Sequence, residues 1–108
     1  MNREAMLIQL GYAPNEALTK QLTEIETNTV GYDKIQKHIM DLHDNLKVNN
    51  SFVALSNSNN YFKVKIEALT PELTEEAHEK VEHFSEKFKV KLEKLENKNT
   101  YYIIGFEH

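Results

Sequence analysis

The residues of this chain best suited to chemistry are lysines alternating with apolar side chains. Two octapeptides, Phe62–Leu69 and Phe88–Leu95, both begin Phe-Lys-Val-Lys, lie 26 residues apart and differ at two of eight positions. Phe, Val and Ile or Leu at every second position is the period of a strand buried on one face and wet on the other. Lys63, Lys65, Lys89 and Lys91 are therefore expected on one side of a sheet, with Tyr61 and Tyr101 beside them. A basic sheet face with exposed aromatics is the chemistry that holds single-stranded nucleic acid, by phosphate charge and base stacking. Lysines on outer strands also keep sheets from pairing edge to edge, with Glu67 and Glu93 as cross-strand partners. The second reading is preferred, because nucleic-acid binders are usually basic domains and this chain has a net charge of −4.

Histidines and carboxylates form the other group. His38, Asp41 and His43 fall within one helical stretch, and Glu75 and His78 have the Glu-x-x-His spacing of carboxylate di-metal bundles. Two ligands on one helix face need a spacing of three or four. His38 and His43 are five apart, as are His78 and His83. Glu75 and His78 also lie opposite the apolar stripe Leu73-Ala77-Phe84, so both groups are expected to be solvated polar faces. A Gly-rich phosphate loop, Gly-x-Ser-x-Gly and His-Glu-x-x-His are all missing. Catalysis thus has no positive support; His38, Asp41 and His43 would be the residues of an enzyme or metal protein, and no cofactor is expected.

Composition narrows the class further. Apolar residues make up 40% and charged residues 28% of 108 residues, the balance of an ordinary folded, soluble domain. Without cysteine there is no disulfide or thiolate site, which suits a reducing compartment. The apolar run Ala5–Ile8 is broken by Gln9 and is too short for a signal-peptide core, and nothing approaches the roughly 20 apolar residues of a membrane span. A cytoplasmic location is the expectation. Charge is uneven: residues 72–86 hold six acids and one base, a balance of −5, whereas residues 87–98 hold five bases and two acids, a balance of +3.

The elements that must position these groups follow from periodicity. A short helix fits Arg3 to Leu10. A second starts near Pro14 and Asn15, with Leu18, Leu22 and Ile25 on one face. A third, with Asp33 as its expected N-cap, lines up Ile35, Ile39, Leu42 and Leu46. After Asn50 the period becomes that of a strand. Ser51–Ser56, a turn at Asn57-Ser58-Asn59-Asn60 and Tyr61–Leu69 predict a β-hairpin. Thr70 and Pro71 cap a helix bearing Leu73, Ala77, Val81, Phe84 and Phe88, with the glutamate run on its outer side.

Leu92 and Leu95 could continue that helix, but Val90 would then face solvent between two lysines. A strand from Phe88 is preferred for that reason. Asn97-Lys98-Asn99 then turns into Thr100–Phe106, apolar on both faces and so expected inside the sheet. The intervening segment is long enough for the lysine strands to run parallel, flanking either the last strand or each other.

The fold class is α+β: an N-terminal helical hairpin (1–50), then β-hairpin, helix and β-hairpin (51–108) forming a four-stranded sheet, all in one domain. Acidic helix and basic strands on opposite surfaces suit contact with a protein partner or a second copy, and the doubly apolar last strand favours a homodimer. Nucleic acid is the disfavoured alternative, and no membrane association is expected.

Overall fold

Most helices begin where the sequence offers a cap. The computed structural model describes residues 2–57, 59–96 and 98–107. In it the Asn2 side chain accepts from the Ala5 amide at the start of α1 (Arg3–Gln9), and Asn15 accepts from Leu18 at the start of α2 (Glu16–Asn28). Thr70 does the same for Leu73 at the head of α4 (Pro71–Phe88), where Pro71 occupies the first turn. For α3 (Tyr32–Leu46) the expected cap is corrected. Gly31, at φ 64°, stands in the cap position, and Asp33 lies two residues further on, within the first turn. A 3-10 turn, Lys47–Asn49, follows α3.

The strands are β1 (Phe52–Leu55), β2 (Phe62–Lys65), β3 (Val90–Lys94) and β4 (Thr100–Phe106). They form one sheet in the order β1-β2-β4-β3, with every neighbouring pair antiparallel. The strands β2 and β3, which carry the two lysine motifs, are consequently parallel to each other with β4 between them. The doubly apolar last strand is internal, as its composition requires. Of the two predicted turns, Ser58 in the first and Asn97 in the second lie outside the described residues.

Val90 decides between strand and continued helix. It is 2% exposed, and the chain turns into β3 through Lys89, which takes a left-handed conformation (φ 56°) as the C-cap of α4. The strand therefore begins two residues later than its repeat suggested: Phe88 closes the helix and Lys89 makes the corner.

One hydrophobic cluster joins all four helices to one face of the sheet. Leu22 and Ile25 of α2, Ile35, Ile39, Leu42 and Leu46 of α3, and Ala77, Val81 and Phe84 of α4 meet Val53, Leu55, Phe62, Val64, Tyr101 and Ile103 there. A close backbone approach locks one end. Gly105 pairs with Lys91 on one side and with Val30 on the other, and an added Cβ would lie 2.8 Å from both the Val30 nitrogen and its oxygen. Only glycine fits between the two chains.

The two edges of the sheet differ. Along β1 the outward amide of Val53 donates to His43 Nδ1 at 3.0 Å, and that of Leu55 donates to the Tyr12 hydroxyl oxygen at 3.1 Å. A side chain of α3 and one from the α1–α2 connection thus close this edge. Nothing comparable closes the amides of β3 among the described residues.

Candidate functional site

The sheet face turned away from the helices is the candidate site. Strand alternation puts Phe62 and Val64 into the core and Lys63 and Lys65 outward. Lys63 stands between Ala54 and Tyr102, and Lys65 between Phe52 and Thr100. Glu93 and Lys91 of β3 extend the same face, with Glu93 beside Tyr102. The Tyr61 and Tyr102 rings lie 6.1 Å apart, tilted by 43°. An open groove of about 490 Å³ runs over this face, lined in part by Lys63, Lys65, Lys98, Thr100 and Tyr102. Lys65 contacts Glu67 at 3.2 Å through two half-exposed side chains, a contact worth little. Lys63 enters no ion pair among the described residues.

Two of the six residues expected on this face are elsewhere. Lys89 is the helix cap described above. Tyr101 points to the opposite side, 5% exposed, where its hydroxyl meets His78 Nδ1 at 2.6 Å. Burial, and then the Glu82 carboxylate, push the Tyr101 hydroxyl pKa up, so it stays protonated. His78 Nε2 lies 3.2 Å from the Asn99 side-chain oxygen, so a Tyr101–His78–Asn99 chain ties α4 to the start of β4. The expectation of a solvated His78 is thereby corrected. Tyr102, only 9% exposed, and Lys98 border the outer face in their place. Of the adjacent pair Tyr101 and Tyr102, alternation requires one on each face, but only the register with β2 says which.

The histidine group is dispersed. His43 is 4% exposed and accepts the Val53 amide, so it is a neutral core residue rather than part of a solvated face. Burial first, and Lys47 second, hold its pKa below the usual value, while the Gln9 main chain and Asp44 oppose them. His38 instead stacks on Phe88, ring centroids 3.6 Å apart. It shares a groove of about 380 Å³ between α3 and α4 with Asp41, His83, Lys80 and Lys87. Asp41 is exposed and Glu75 likewise. Among the described residues no three of His, Asp or Glu converge as a metal site.

Lys80 is fully occupied. It donates to the Asn45 carbonyl at 3.1 Å and to the Asn49 side-chain oxygen at 2.8 Å, and it pairs with Glu76 at 3.2 Å. Its charge therefore neutralises the C-terminal end of α3 and clamps it to α4. The remaining α4 carboxylates, Glu72, Glu75, Glu79, Glu82 and Glu86, are exposed on the side of the molecule opposite the lysine face. None of the described helices is long and apolar enough to cross a membrane. Comparison with known proteins gives no match: no family model, no curated protein and no solved structure is similar to this chain.

Proposed function

We propose that this protein is a non-catalytic binding domain that holds an acidic, extended segment of a partner protein on the open face of its sheet. The observation that carries this reading is the position of Lys63 and Lys65. Edge protection explains lysines on an outer strand, but β2 is an inner strand, flanked by β1 and β4. Two cations side by side in the middle of an uncovered sheet, next to Tyr102 and Lys98, instead make a basic floor for a carboxylate-rich chain. The acidic helix on the far side orients such a partner toward the lysines and away from α4. A protein occupant is favoured over nucleic acid by the small extent of the basic groove. With no cysteine to protect, the domain suits the reducing cytoplasm.

The test is fluorescence polarisation with a labelled peptide of about ten residues rich in Glu and Asp, alongside an oligothymidylate of equal charge. The peptide should bind at low ionic strength, weaken as salt rises, and lose at least about tenfold in affinity in the Lys63→Glu, Lys65→Glu double variant. Glu79→Gln on α4 should leave binding unchanged. Failure of the peptide to bind at low salt overturns the reading, and tighter binding of the oligonucleotide replaces the partner class with single-stranded nucleic acid.

A further inference from the structure

We propose that the β3 edge is the seam of a symmetric homodimer in which two copies of β3 pair antiparallel about Leu92, joining the two sheets into one. This interaction is separate from the binding proposed for the lysine face.

The hydrogen-bonding pattern selects the edge. Leu95 donates its amide to Thr100, and Glu107 donates to the Lys89 carbonyl, so the odd-numbered backbone groups of β3 face β4. The even-numbered groups, at Leu92 and Lys94, face outward from the last strand of the sheet. Of the outward carbonyls, that of Val90 already accepts the Ser85 hydroxyl at 2.6 Å. The β1 edge cannot serve the same purpose, because His43 and Tyr12 occupy its amides.

The side chains select the occupant and the register. Outward-facing even residues must pair with even residues, which leaves three central registers. Centring on Leu92 sets Lys91 opposite Glu93 of the second copy, and Glu93 opposite its Lys91. Centring on Lys91 would oppose two lysines, and centring on Glu93 would oppose two glutamates. Opposite charges directly across strands stabilise, and like charges destabilise. Val90–Lys94 is thus complementary to itself in one register and repelled in its neighbours. Neither Lys91 nor Glu93 is in an ion pair among the described residues.

The same register puts the two half-buried Leu92 side chains against each other on the helix side. It also sets Lys94 of the second copy opposite Val90, beside Ser85 and Glu86. Ser85 and Glu86 line a groove of about 300 Å³ between α4 and the edge, together with Leu92 and Lys94.

Sedimentation velocity on the full chain at about 100 µM, where a micromolar dimer is populated, supplies the test. The wild type should be dimeric. Lys91→Glu alone and Glu93→Lys alone should each weaken the dimer about tenfold or more, because every substitution creates two like-charge oppositions. The double swap Lys91→Glu, Glu93→Lys should restore it, and mixing the two single variants should give a heterodimer.

Hydrogen exchange at the Leu92 and Lys94 amides should slow with protein concentration. Lys91 and Glu93 are both exposed on an edge strand, and circular dichroism of each variant should match the wild type. A monomeric wild type overturns the proposal. So does a dimer indifferent to the swaps, or one whose Leu92 amide exchanges at a concentration-independent rate. Because Lys91 and Glu93 also extend the lysine face, the two proposals are separated by the Lys63→Glu, Lys65→Glu variant, which should lose peptide binding and keep the dimer.

Discussion

The two copies of the octapeptide share six of eight residues and do different things. In the first, Phe62 and Val64 are fully buried on an inner strand, Lys63 and Lys65 stand in mid-sheet, and Lys65 meets Glu67 within its own chain. In the second, Phe88 ends a helix, Lys89 bends the backbone, and only Val90 onward is strand, at the edge. The difference teaches that a period-two pattern states which side chains can share a face, while the preceding element determines where the strand begins. Helix α4 arrives at Phe88 with its apolar stripe intact, so the residue is used as the last rung of that stripe, against Phe84 and His38. The loop before Phe62 has no such claim on it.

Truncation of the two phenylalanines should separate the copies by the largest margin. Phe62→Ala should cost about 3–5 kcal/mol in urea denaturation, as for a fully buried aromatic, whereas Phe88→Ala, half-buried, should cost about 1–2 kcal/mol. Equal losses would mean that the copies are buried alike.

Acid sharpens the contrast between the edge beyond the first copy and the edge formed by the second. The His43 pKa is lowered on folding. The unfolded chain therefore takes up this proton near pH 6.5 and the folded chain only at lower pH. The unfolded state binds more protons in that interval, so stability is complete above pH 6.5 and declines as pH falls through it. Protonation would also turn Nδ1 from acceptor to donor and release the Val53 amide. Urea midpoints should fall between pH 7.5 and pH 5, and the decline should be shallower in His43→Gln. Exchange at Val53, corrected for intrinsic rate, should accelerate while that at Lys91 does not.

The smallest effect has opposite signs in the two copies. Lys89 sits at φ 56°, where glycine carries no steric penalty, so Lys89→Gly should stabilise by about 0.5–1 kcal/mol. Lys63→Gly, in an extended strand, should destabilise by about 1 kcal/mol. Two shifts of the same sign in thermal unfolding would contradict the assignment of Lys89 to the helix cap.

Where one local rule governed, the reading of the chain was secure. The stripes Leu22-Ile25, Ile35-Ile39-Leu42-Leu46 and Ala77-Val81-Phe84 became the core sides of their helices, because a 3.6-residue period leaves only one face to bury. Thr70 and Pro71 opened α4, since a hydroxyl acceptor and a fixed φ are local properties. The burial of Val90 likewise followed from its position between two lysines. Sequence misleads for residues whose environment comes from a distant element. A polar helical stretch predicts a solvated His43, yet its partner is the Val53 amide on a strand edge. Tyr101 and His78 are expected on wet surfaces, yet each is held by the other across the junction of α4 and the sheet.

By itself, then, the sequence determined the alternation of helix and strand, the polarity of each element, the acidic and basic surfaces, and the inclusion of Thr100–Phe106 within the sheet. These depend on side-chain period and composition, which are written along the chain. Tertiary structure alone decided that β2 is an inner strand and β3 an edge, that Lys63 and Lys65 therefore face outward from mid-sheet, and that His43 and Tyr12 close β1 while Leu92 and Lys94 leave β3 open. Strand order and register arise from packing between segments far apart in the chain, and no local pattern carries that information.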